Sequence, residues 1–146
     1  MKTVFLLFLF PILFSGCAST PVSINDAIKA APERVIAFQT TNLTKTATLT
    51  VIRDKFYPAS RCYFGFWINQ TLSARIGVAE YATFQVESGE VLLRVGVDPQ
   101  GSGMCGWGQD YWTQRETVMK PGDNKTFRLT MDGNGKLDII RADVTP

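Results

Sequence analysis

Cysteine, carboxylate and tryptophan are the side chains in this sequence that could carry chemistry; histidine is absent. Without imidazole there is no Ser-His-Asp or Cys-His nucleophile, no His-ligated zinc and no ordinary general base near neutral pH. Ser88, within Glu87-Ser88-Gly89-Glu90, reads as a turn residue, and Ser102 has no base near it in sequence. Asp110 and Glu116 form a nominal acid pair for glycoside cleavage, which needs two carboxyl groups flanking one bond. Asp132, Asn134 and Asp138 superficially suggest a calcium loop, but Lys136 stands where a ligand is required and no distal Glu follows. Strand surfaces and a hairpin explain both sets, so no catalytic group, metal or other cofactor is assigned. The aromatic set is different. Gly103, Met104 and Trp107, with Tyr111 and Trp112 just beyond, form a candidate binding loop, since exposed aromatics are typical anchors for a sugar ring or a partner's cleft. The plainer expectation is that Trp107 folds back over the domain's edge as a plug.

The amino-terminal segment decides where such chemistry would take place. Lys2 precedes an apolar run from Val4 to Phe14. About eleven helical residues span roughly 17 Å, well short of the roughly 30 Å hydrocarbon core, which suits a secretory h-region rather than a membrane span. The run ends in Leu13-Phe14-Ser15-Gly16-Cys17. That ending resembles the lipobox of bacterial lipoproteins, although Phe14 departs from the commoner aliphatic or small residue. The resemblance implies a leader over residues 1–16, cleavage before Cys17, and a cysteine carrying the lipid (palmitate-type acyl chains). Ala18 and Ser19 follow, where an Asp would favour inner-membrane retention. By that rule the chain is held by its lipid on the periplasmic face of the outer membrane. An ordinary signal peptide cleaved near Ala18 is the alternative reading.

Removing Cys17 to a lipid leaves Cys62 and Cys105 as a pair in an oxidising compartment, which is what a disulfide needs. No Cys-x-x-Cys spacing points to redox work. Two buried free thiols would be the other outcome. Fifteen Lys and Arg face thirteen Asp and Glu, and Lys2 departs with the leader, so the mature chain is near neutral. Charges alternate in sign without a basic run. A grip on phosphates needs several cations on one face, so nucleic acid is excluded as a partner.

These residues need a scaffold, and the pattern is that of strands. The run from Cys62 to Val97 is rich in aromatic and β-branched residues, with breaks at Asn69-Gln70, Gly77 and Ser88-Gly89. It predicts a meander of strands at Tyr63–Ile68, Leu72–Ile76, Tyr81–Val86 and Val91–Val97. Before it, Ala47, Leu49 and Val51 alternate with Thr48 and Thr50; the preceding Val35–Thr40 is a weaker strand candidate, and Pro58 fixes a loop between. After it come a loop over Asp98–Gly108, strands at Asp110–Met119, Thr126–Met131 and Lys136–Ala142, and a hairpin turn at Asp132-Gly133-Asn134-Gly135. Eight or nine short strands indicate an all-β, antiparallel sandwich or small barrel over residues 34–146. Residues 17–33 read as a tether: Ser23 and Asp26 resemble a weak capping box, with Ile24, Ala27 and Ile28 on one face of a short helix. Plain disorder would serve equally as a spacer.

Trp67, Asn69, Gly77, Tyr81, Gly89 and Val91 also carry a resemblance to small bacterial envelope lipoproteins with a single β-sandwich, and to PEGA-type surface modules. The likeness covers roughly residues 47–97. It implies the fold and the envelope and supplies no catalytic residues. The expected function is therefore a non-enzymatic, lipid-anchored module that binds an envelope protein or glycan, including an inhibitor of a wall-degrading enzyme. A carboxylate-dependent enzyme acting on wall glycan is the alternative, and a deep cleft holding two acids would mark it.

Overall fold

The computed structural model describes residues 19–40, 46–56 and 61–142. The leader, Cys17 and the Pro58 loop lie outside them. The described residues form nine strands: β1 (Ile28–Lys29), β2 (Thr46–Arg53), β3 (Phe64–Ile68), β4 (Thr71–Ile76), β5 (Glu80–Glu87), β6 (Gly89–Val97), β7 (Trp112–Met119), β8 (Asn124–Met131) and β9 (Leu137–Arg141). A five-stranded sheet ordered β1-β5-β2-β8-β9 faces a four-stranded sheet ordered β4-β3-β6-β7. This is the all-β sandwich that the alternation predicts.

Alternation sends one set of side chains from each strand into the space between the sheets. Leu49, Val51, Phe84, Leu129 and Ile139 enter from the first sheet, and Phe66, Ile68, Ile76, Leu93 and Val95 from the second. The Phe66 and Phe84 rings meet across the interface at 5.6 Å. Full burial of such a side chain stabilises by about 1.5–3 kcal/mol, so this layer is the main source of stability. The β3–β4 hairpin turns at Asn69-Gln70, where both residues have positive φ, 47° and 68°. That is the twist-matched two-residue turn, achieved here without glycine. Asn69 Oδ1 accepts the Leu92 N–H at 2.9 Å and pins the turn to β6.

Strand pairing departs from a simple meander. After β4 the chain crosses to the other sheet as β5, then returns as β6 beside β3. The turn ending at Ala79 (φ 55°) and the bend into Gly89 (φ 136°) redirect it between layers. The four-stranded sheet is antiparallel throughout. In the five-stranded sheet, β2 runs antiparallel to β5 but parallel to β8, with Thr48 opposite Asn124 and Arg53 opposite Leu129.

The stretch expected as a spacer is docked from Ser19 onward. The Ser19 N–H donates to Met131 O at 2.9 Å, Thr20 pairs with Lys55, and the Val22 N–H donates to the buried Asp54 carboxylate at 3.0 Å. Ser23 and Asp26 do hydrogen-bond, at 2.7 Å, but the result is one turn and not a helix. Ile28 and Lys29 then pair in parallel with Glu80 and Tyr81. A helix this short is marginal alone, whereas the open edge of β5 and the Asp54 carboxylate offer backbone partners. Val35–Thr40 is likewise no strand: Val35 makes a single bridge to Ala74, and Phe38 turns with φ 61° to pack on the core.

Candidate functional site

The ends of β2, β6 and β8 and the starts of β3 and β7 lie at one end of the sandwich, where the 98–111 loop and the β8–β9 hairpin meet. The loop is fastened by a disulfide and by polar pins. Cys62 and Cys105 are bonded, with an S–S distance of 2.00 Å and Cα atoms 5.2 Å apart. The buried Asp98 carboxylate accepts two hydrogen bonds from Arg75 (2.8 and 2.6 Å) and one from the Gln100 N–H (3.0 Å). Gln109 Nε2 donates to Asp98 O and Gly106 O. The loop doubles back so closely that a Cβ on Gly101 would sit 2.1 Å from Cys105 O. Glycine is required there by contact with the backbone.

Behind the loop, charged groups are paired with one another. Arg34 forms a two-pronged bond to Glu80 (2.5 and 2.6 Å), whose carboxylate also accepts the Gly77 N–H. The guanidinium groups of Arg34 and Arg75 flank the Tyr63 ring at 4.5 and 5.2 Å. Burial pushes the Glu80 carboxyl up, but the bonds from Arg34 and Gly77 and the charges of Arg34 and Arg53 outweigh it, holding its pKa below the ordinary value. Hydrogen bonding to Glu80 and to Asp98 raises Arg34 and Arg75 respectively. Arg53 is fully buried, bonded to the carbonyls of Cys62 and Ile76 and stacked 3.6 Å over Phe64; burial lowers it to about 9. These groups hold the end together.

Large apolar side chains stand exposed at this end. Met104 is 77 %, Trp107 75 % and Tyr111 74 % exposed. Trp107 is therefore not a plug, because the pinned, doubled-back loop carries it away from the core. Gly103 opens the 3-10 turn Gly103–Gly106 that presents Met104. A groove of about 220 Å³ separates Met104, Trp107 and Tyr111 from Met131, Gly135 and Leu137. A second, of about 550 Å³, lies between Tyr111 and the hairpin, with Asp110 and Lys136 at its wall.

Trp112, expected with this group, lines the second groove beside Tyr111 and also belongs to a second surface. It lies on the outer face of the four-stranded sheet, 48 % exposed, with Arg94 stacked 4.5 Å from its ring and 4.9 Å from that of Trp67. The three side chains form a ladder across neighbouring strands. Its floor is glycine: a Cβ on Gly65 would lie 2.3 Å from the Trp67 ring, and one on Gly96 3.2 Å from Trp112 Cβ. Trp67 and Arg94 were not assigned from sequence, although Gly65 two residues from Trp67 in a strand is a sign of close approach.

The family comparison finds no match. Neither the curated proteins nor the solved structures give a match.

The acid candidates are not brought together. Asp110 lies before β7 at the groove wall, whereas Glu116 sits in the middle of β7 opposite Leu92. The strand from Trp112 to Glu116 alone covers about 13 Å, beyond the roughly 5–9.5 Å between glycosidase carboxyl groups. Asp132 spends its carboxylate on the N–H groups of Asn134 and Lys136, at 2.9 Å each, and Asp138 pairs with Arg115 at 2.7 Å. Those bonds make the 132–136 segment a hairpin turn. Among the described residues no group of three metal-binding side chains gathers.

Proposed function

We propose that this chain is a bacterial lipoprotein, held on the periplasmic face of the outer membrane by lipid on Cys17, whose sandwich is a non-enzymatic binding module of the cell envelope. The observation that carries the reading is the division of labour among side chains. Acids and arginines at the loop end are consumed in structural pairs, while aromatic residues stand exposed on a loop stapled by a disulfide and on a flat sheet face. Such a surface suits binding. The lipobox-like Leu13–Cys17 segment supports the anchor, and the disulfide fits an oxidising compartment.

The Trp67–Arg94–Trp112 ladder is the surface offered to an envelope protein or glycan. Aromatic and arginine side chains dominate binding hot spots, and a sugar face stacks on indole as readily as a side chain does. The test is in-cell crosslinking from a photoreactive residue at Gln114, which is exposed beside the ladder. One recurrent envelope protein or glycan adduct should form and should vanish in Trp112→Ala. No adduct, together with an unaltered envelope in Trp112→Ala, sinks the ladder as a binding surface. Mass spectrometry of the amino-terminal peptide tests the anchor separately.

A further inference from the structure

We infer that the exposed end bearing Met104, Trp107 and Tyr111 is a membrane foot, whose occupant is the interfacial layer of the bilayer that carries the Cys17 lipid. The inference rests on the proposed lipid at Cys17 and adds a second, independent contact. Its basis is where the chain leaves the sandwich. Ser19 is clamped to Met131, its N–H donating to Met131 O and its Oγ accepting the Met131 N–H at 3.2 Å. Met131 in turn lines the same groove as Met104, Trp107 and Tyr111. Cys17 is two residues before Ser19, and two residues of extended chain reach at most about 7 Å. A lipid on Cys17 therefore enters the bilayer beside the aromatic end, not at the far end of the molecule. With no spacer to lift it, the domain must rest on the membrane by that end.

The chemistry of the end fits that location. Trp and Tyr favour the headgroup boundary, where an apolar ring and a polar edge are both satisfied, and Met adapts to irregular apolar surroundings. Lys55, Arg61 and Lys136 are exposed near the same end, against the acids Asp110 and Asp132, and Asp132 is occupied by backbone N–H groups.

The experiment uses the full chain, processed in a bacterial host, extracted in detergent and returned to vesicles of phosphatidylethanolamine with a minority of phosphatidylglycerol. Vesicles with brominated acyl chains are compared with unbrominated ones, for the unaltered chain and for Trp107→Phe. Trp107 is well exposed, so its replacement leaves the fold intact. Brominated lipid should remove most of the emission that Trp107 contributes, and Trp107→Phe should abolish that loss. Equal Trp107 emission in both vesicles overturns the foot. The mass of the amino-terminal peptide reads the anchor on its own: lipid present without quenching rejects the foot alone, and quenching without lipid on Cys17 rejects the anchor alone. A protein or a second copy covering the end would also leave Trp107 unquenched, and so counts against the foot.

Discussion

Removing the Cys62–Cys105 bridge should destabilise the domain mainly by releasing the unfolded chain. The bridge spans 43 residues, and the chain-entropy relation gives about 4 kcal/mol for a loop of that length. In the folded state the loop keeps its other fastenings, Arg75 on Asp98 and Gln109 on the carbonyls of Asp98 and Gly106, so little native structure depends on the sulfur bond. The paired variant Cys62→Ser with Cys105→Ser is the perturbation. With a urea m-value of about 2 kcal/mol/M, its midpoint should fall by about 2 M, and the m-value should rise because the unbridged chain exposes more surface. Urea titrations followed by tryptophan emission, on the oxidised, reduced and paired-serine proteins, read both quantities. A midpoint shift below about 0.3 M refutes the entropy account. A large shift with an unchanged m-value, preceded by a separate loss of the loop's signal, would place the stabilisation in the folded loop instead.

Glu80 sets an acid limit. Its folded pKa lies below the ordinary 4.5, so its contribution to stability is present above about that pH and is lost as pH falls through the lower folded value. Glu80→Gln should cost about 2 kcal/mol at neutral pH by leaving Arg34 without its charged partner, and the two stability curves should converge in acid; parallel curves from thermal melts across pH 2–7 would contradict this. Gly65→Ala places a methyl group 2.3 Å from the Trp67 ring and should cost about 1–3 kcal/mol while driving the indole off the sheet. Near-ultraviolet circular dichroism and melting temperature read the change, and an unaltered tryptophan spectrum would show that Trp67 does not rest on Gly65.

How much of this was legible in the chain differs between strands and their neighbours. Residues such as Leu49, Val51, Phe66, Ile68, Val91, Leu93 and Val95 announce both strand and inner face through their alternation, and the Asn69-Gln70 and Asp132–Gly135 turns through their residue types. The parallel β2–β8 pair left no local sign, because its partners are distant in sequence and alternation reports a face and never a neighbour. Docking of Ser19–Lys29 was hidden for a related reason: most of its hydrogen bonds run to backbone groups of Lys55, Met131 and β5, which carry no residue-specific signature, and the Asp54 carboxylate that holds Val22 is distant in sequence. Arg53, by contrast, was readable and overlooked. It continues the inward series Ala47, Leu49, Val51, so the pattern already placed a guanidinium in the core. The candidate loop was legible as a set of aromatics, but that Trp112 also reaches the outer sheet face, beside Arg94, depends on where β7 begins.

The parallel contact between β2 and β8 also sets a clock on synthesis. Chains are made from the amino terminus, so β2 emerges early, finds β5 in good time, and then waits with its other edge open until Asn124 and its successors arrive. Ser19 waits longer still, since Met131 follows it by 112 residues. During the wait the edge of β2 that β8 will cover stays unpaired. The last third of the chain is thus the closing piece of the molecule, and a product that stops short of Met131 is an open sheet seeking another edge, not a smaller domain.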